Sequence, residues 1–197
     1  VGALAISVDD AINYYRKTAR DWEKQVLIRS RVSAGSAEIF QKFFAAVETV
    51  VFSKNETVEN ALKNVRLSKE KINFKTASKS GFDVKLGAGG IREIEFIAQA
   101  LQLAHGGRDE WLRAPHTLIS LVRLADRNLL TETELAELAE AYKFLRRLEH
   151  RLQMENGLQT HLVPEDGQRR LLLARRMNFS TLEEFDEELR SHTENVS

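Results

Sequence analysis

The chain contains no cysteine, which excludes disulfide cross-links and thiolate metal sites. It has only 2 prolines, Pro115 and Pro164, so long helices are permitted nearly everywhere. It also lacks charge of one sign, because 29 Lys/Arg balance 29 Asp/Glu. Nucleic-acid binders usually carry a basic excess, and the balance argues against that class. No apolar run approaches the roughly 20 residues needed to span a bilayer. No signal peptide is visible, and the expectation is a cytoplasmic protein with no membrane partner. The opening "VGALAIS" has no Met and reads as a short extended remnant of something longer.

What is present is helical pattern. With 197 residues and 43% hydrophobic content the chain can bury a real core. Ser7 before Asp9 and Asp10 has the form of a helix N-cap. Trp22, Val26 and Arg29 fall on one helical face, with Trp22 expected as a core anchor. Ile39, Phe43, Val47 and Val50 make a further stripe, and Val58, Leu62 and Val65 a shorter one. "TASKSG" at 76–81 reads as a loop and "FDVKL" after it as a brief extended piece. A helix is expected from 91 to about 105, stopped by Gly106-Gly107. Thr131 and Glu134 form a capping box for the longest pattern, 132–155, whose seam is Leu135, Leu138, Tyr142, Leu145, Leu148 and Leu152. Two more helices, near 166–177 and 181–195, close the chain. The fold class read from this is all-α, an antiparallel helical bundle.

The densest signal is "KLGAGGIREIEF" at 85–96, three glycines in four positions at a helix start. Two readings stay open. The glycines permit close packing of two elements, or they leave backbone N–H groups free to meet an anion at the positive end of the helix dipole. Lys85 and Arg92 would then supply formal charge. Within the helix, Arg92, Glu95, Gln99 and Gln102 form one polar stripe between apolar flanks that include Ile91, Ile94, Ala98 and Leu101. Such a helix is largely buried, so Glu95 needs a partner. A structural ion pair of Arg92 with Glu95 is one candidate; Arg146 or Arg147 is another. His150 and His161 lack metal-ligand spacing, and "RRLEHR" at 146–151 reads as core leucine beside a solvated charged face.

"DVKLGAGGIREIEFIAQALQL", "YYRKTARDWEKQVLIRSRVSAGS" and "AYKFLRRLEHRLQMENGLQTHLVP" together resemble, in order, the bacterial glutamine synthetase adenylyltransferase/adenylyl-removing enzyme family. The "GGIREIEF" wording resembles the N-terminal, adenylyl-removing half, and Arg92 and Glu93 carry that distinction. The resemblance implies a helical domain that follows a nucleotidyltransferase core. Residues 1–35 would be a remnant and helices trailing that core, and 36–197 the bundle proper. Implied partners are the core itself, glutamine synthetase and the PII signalling protein; glutamine would act with PII to set the balance of the two activities. The implied parent uses Mg²⁺ with ATP or phosphate. The Gly-Ser turn and spaced aspartates that hold the metal in this superfamily are missing here, so no cofactor, metal ligand or catalytic residue is expected in this chain, which is expected to be inactive alone. Asn156-Gly157 and Ala88 depart from the family pattern. Lys85, Gly87, Gly89, Gly90 and Arg92, with Arg29 and Arg31, are expected to face phosphate or nucleotide. A PII uridylyltransferase with an equivalent helical domain, and a non-catalytic protein-interaction module, are the alternatives.

Overall fold

A computed structural model describes residues 5–76, 81–156 and 160–196. The helices in chain order are α1 (Val8–Lys17), α2 (Asp21–Val26), α3 (Ala37–Val51), α4 (Val58–Thr76), α5 (Ile91–Gly106), α6 (Thr117–Asp126), α7 (Glu132–Asn156), α8 (Gly167–Arg176) and α9 (Leu182–Glu194). Short 3-10 turns occupy Leu27–Arg29 and Glu110–Leu112. Among the described residues all regular structure is helical apart from one antiparallel β-bridge, Asp83 to Leu162. The all-α expectation therefore holds. The expected N-terminal remnant falls largely on residues 1–4, and most of the "TASKSG" loop on 77–80, both outside the described residues; Ala5 and Ile6 carry no strand.

The helix starts follow side-chain chemistry. Ser7 accepts the Asp10 N–H, Ser36 that of Ile39, and Asp166 that of Arg169. Thr181 and Glu184 form a reciprocal capping box, as do Thr131 and Glu134. Each cap satisfies N–H groups that a helix start leaves without partners.

The chain divides into two compact units, Val1–Ser68 with Ala98–Asp126, and Lys69–Ile97 with Arg127–Ser197. In the first unit α1 and α2 pack on α3. Its core is Leu27, Ile28, Val47, Val51 and Phe52, flanked by Ile12, Tyr15, Phe43, Phe44 and Leu103. Fully burying one such side chain contributes about 1.5–3 kcal/mol. Trp22 is not the expected anchor: it is 47% exposed, and Val26 is 62% exposed. The reason is that α2 is short and tightens into the 3-10 turn, so the register that would bury Trp22 and Val26 is lost. The turn buries Leu27 and Ile28, and α2 buries Gln25.

In the second unit α7, α8 and α9 pack on one another. The seam read from the sequence is there: Leu138, Leu145, Leu148 and Leu152 are all buried. Phe144, Phe179 and Phe185 meet edge to face, with ring centroids 6.3 and 5.7 Å apart. Helix α5 contributes residues 91–97 to this unit and 98–106 to the other.

Candidate functional site

The glycine turn is built by backbone pairing. Val84 N–H donates to His161 O at 2.8 Å and Val163 N–H to Phe82 O at 2.9 Å, which lays the turn beside the segment after α7. Asp83 Oδ1 then accepts the Lys85 and Leu86 amides, each at 2.9 Å. Within the turn, the amides of Gly87, Gly90, Ile91, Arg92 and Glu93 donate to Asp83 O, Gly87 O, Val84 O, Lys85 O and Gly90 O at 2.7–3.0 Å. The turn thus caps its own helix, and those N–H groups already have acceptors.

Close packing explains the glycine at the centre. Gly89 has φ +69°, and a Cβ there would lie 2.1 Å from the carbonyl oxygen of Thr193. Backbone approaches backbone at that point, and only glycine fits. Gly87 is similar in kind, with a Cβ position 2.6 Å from Asp83 O. The α5 start is therefore docked on the end of α9.

The expected side chains divide between the two units. Lys85 is about one-third exposed, with Nζ 3.8 Å from a carboxylate oxygen of Glu149. The Arg92 guanidinium lies 5.7 Å from the Phe96 ring centroid, and its Nε is buried without a hydrogen bond. Glu95 is buried, and the Tyr142 hydroxyl donates to its Oε1 at 3.4 Å. In the first unit, the Arg29 guanidinium donates to Thr117 Oγ1 at 3.1 Å, and Arg31 is exposed.

The rest of the polar stripe is resolved by neutral chemistry. Gln25 Nε2 donates to Gln99 Oε1 at 2.7 Å, both side chains being buried. Gln102 Nε2 donates to Leu112 O at 2.7 Å and to Ala114 O at 2.8 Å. The first unit also holds a cavity of about 260 Å³ lined by residues that include Phe40, Phe44, Phe52, Glu48 and Arg113. Arg113 there bonds Glu48 Oε1 and Gly106 O, each at 2.7 Å.

Glu149 is the residue that sequence reading missed. Its side chain is 2% exposed and hydrogen-bonds the Arg146 guanidinium. His161 Nδ1 lies 3.3 Å from Oε1, without hydrogen-bond geometry. The charged run 146–151 is not a solvated face at this position. The signal was available, since Leu138, Tyr142, Leu145, Glu149 and Leu152 continue one 3.6-residue stripe.

Residues 58–197 match a family model described as GlnD PII-uridylyltransferase, and residues 1–46 match one described as Glutamate-ammonia ligase adenylyltransferase. Curated relatives carry the name bifunctional glutamine synthetase adenylyltransferase/adenylyl-removing enzyme. That of Thioalkalivibrio sulfidiphilus is 40% identical over 99% of this chain and 20% of its own length. That of Bradyrhizobium diazoefficiens is 40% identical over 94% of this chain and 19% of its own. That of Mycobacterium leprae is 36% identical over 84% of this chain and 16% of its own. The chain thus spans no more than about a fifth of these relatives.

Proposed function

Because this chain belongs to the family whose model spans residues 58–197, and within it to the glutamine synthetase adenylyltransferase/adenylyl-removing enzymes, we propose that it is the helical domain following a nucleotidyltransferase core. The parent reaction is transfer of AMP to and from glutamine synthetase, with ATP or phosphate as the small reactant. The half is the adenylyl-removing one, on the wording Arg92-Glu93. The observation that carries this reading is the 40% identity sustained over 99% of the chain. The uridylyltransferase name of the longer family match is read as marking a helical segment common to both enzymes, since the adenylyltransferase match covers residues 1–46.

No three carboxylates or imidazoles converge among the described residues. In this reading the Mg²⁺ ligands belong to the core, because the Gly-Ser turn and spaced aspartates of the superfamily are missing from this sequence, and the chain alone is inactive. Glutamine synthetase and the PII protein are the partners of the whole polypeptide in this reading, which places it in the cytoplasm.

The domain's share in the chemistry is carried by side chains beside the glycine turn. Lys85 and Arg92 face the phosphate-bearing reactant, and the glycines hold the turn close to α9 so that both cations have fixed origins. Arg29 and Arg31 are secondary candidates. The test uses the polypeptide that includes the nucleotidyltransferase core. Lys85→Ala and Arg92→Ala are each expected to lower phosphorolysis of adenylylated glutamine synthetase at least tenfold, the loss of one charge-assisted bond of about 1.5–3 kcal/mol. Unchanged rates with an intact fold would leave the turn a packing device only.

A further inference from the structure

We infer that Lys85, Arg146 and His161, gathered around the buried Glu149 carboxylate, form a binding site for a phosphate group. The inference rests on the reading that Lys85 faces phosphate, and it extends that reading to two residues from other parts of the second unit. Three segments meet there. The glycine turn brings Lys85, α7 brings Arg146 and Glu149, and the stretch after α7 brings His161. The backbone pairing of Val84 with His161 and of Phe82 with Val163 fixes the first segment against the third.

Charge decides what such a cluster can take. Lys85 and Arg146 bring two positive charges against the single negative charge of Glu149, so the group retains one positive charge among these contacts. Glu149 itself cannot serve an outside ligand, because its side chain is 2% exposed. Lys85 and Arg146 can, with side chains 31% and 37% exposed. Lys85 is held loosely, at 3.8 Å, and retains donors that Glu149 does not engage. His161 Nδ1 is buried beside that carboxylate, 3.3 Å from its oxygen, so the imidazole meets an outside ligand only through the 20% of its side chain that is exposed. An ammonium, a guanidinium and an imidazole brought together from three segments suit an oxyanion with several acceptor oxygens. A phosphate group is such an oxyanion. It could belong to inorganic phosphate or to a nucleoside monophosphate.

The 197-residue chain is titrated with inorganic phosphate, and separately with AMP, at constant ionic strength. The side-chain NMR signals of Lys85, Arg146 and His161 are followed. Saturable shifts of these three are expected with at least one of the two ligands; a response to phosphate alone or to AMP alone identifies the source. Lys85→Gln and Arg146→Gln should each weaken the binding about tenfold or more. Both side chains are part-exposed, and circular dichroism verifies that the variants fold. Lys143→Gln, exposed on α7 and paired with Glu140, should bind as the unaltered chain does. Absence of saturable shifts with either ligand, or unaltered binding by both folded variants, overturns the site. Phosphorolysis by the larger polypeptide reads the parent proposal separately: a Lys85→Ala defect there without phosphate binding here would sink this site alone.

Discussion

The two ends of α5 solve the same packing problem and differ in the chemistry they bury. Each is flanked by a glycine pair against foreign backbone: Gly89 meets Thr193 at the start, and a Cβ on Gly107 would lie 2.4 Å from Ser53 O at the end. At the C-terminal end the buried polar groups are neutral amides with partners, Gln25 with Gln99 and Gln102 with two carbonyls. In the second unit they are carboxylates, Glu95 with the Tyr142 hydroxyl and Glu149 with an excess of cations. A buried amide pair closes on itself and is inert. A buried carboxylate that holds two part-exposed cations leaves donors to be used, which is the reason for proposing the phosphate site in the second unit. That contrast can be broken by measurement.

Glu149→Ala should be the most damaging change, costing about 3–5 kcal/mol, because it strands Arg146 beside an emptied site. The part exposure of Lys85 and Arg146 places the loss near the lower figure. Urea unfolding measures it, and a cost under about 1 kcal/mol would show the charges to be independent of one another. Gly89→Ala comes next, on the order of 2–4 kcal/mol, combining positive φ with overlap on fixed backbone. Gly107→Ala, with overlap alone, should cost less, about 1–3 kcal/mol. If the two glycine variants ranked the other way, the account of the turn at 87–90 would fail.

The amide end predicts non-additivity. Gln25→Leu or Gln99→Leu alone strands a buried partner and should cost about 1–3 kcal/mol, whereas the double variant should cost less than the sum. Strict additivity in a double-mutant cycle would mean that the 2.7 Å bond carries no coupling.

The smallest effects are in pH, and both units offer one. The amide and hydroxyl of Thr131 hold the Glu134 carboxyl below its usual range, and Tyr14 with the Arg20 amide does so for Glu23. A depressed folded value means the stabilisation is complete above the ordinary carboxylate range and is lost as pH falls through the folded value. Tyr14 is pushed up by its bond to Glu23, so its contribution is complete below the unfolded value and fades as pH rises through the folded one. Melting temperature against pH for Glu134→Gln should lose only part of the acid slope. For Tyr14→Phe the loss should fall on both limbs.

Legibility in the sequence followed range. The 3.6-residue pattern placed the ends of α7 within a residue of Glu132–Asn156, and Ser7 and Thr131 cap where their side chains can reach N–H groups three residues on. Those interactions are local, and so local order determines them. The polar stripe of α5 was also legible as buried, but its partners were not, because Gln25 and Leu112 come from other parts of the chain.

Sequence by itself determined the all-α class, the caps and the glycine-rich helix start, since each depends on residues within one or two helical turns. Tertiary structure alone decided that Trp22 would stay half exposed, that the turn amides would donate to the turn's own carbonyls, and that Glu149 would be buried among Lys85, Arg146 and His161. Which side of a helix becomes interior, and which charges meet there, is set by segments distant in the chain. Periodicity carries no information about them.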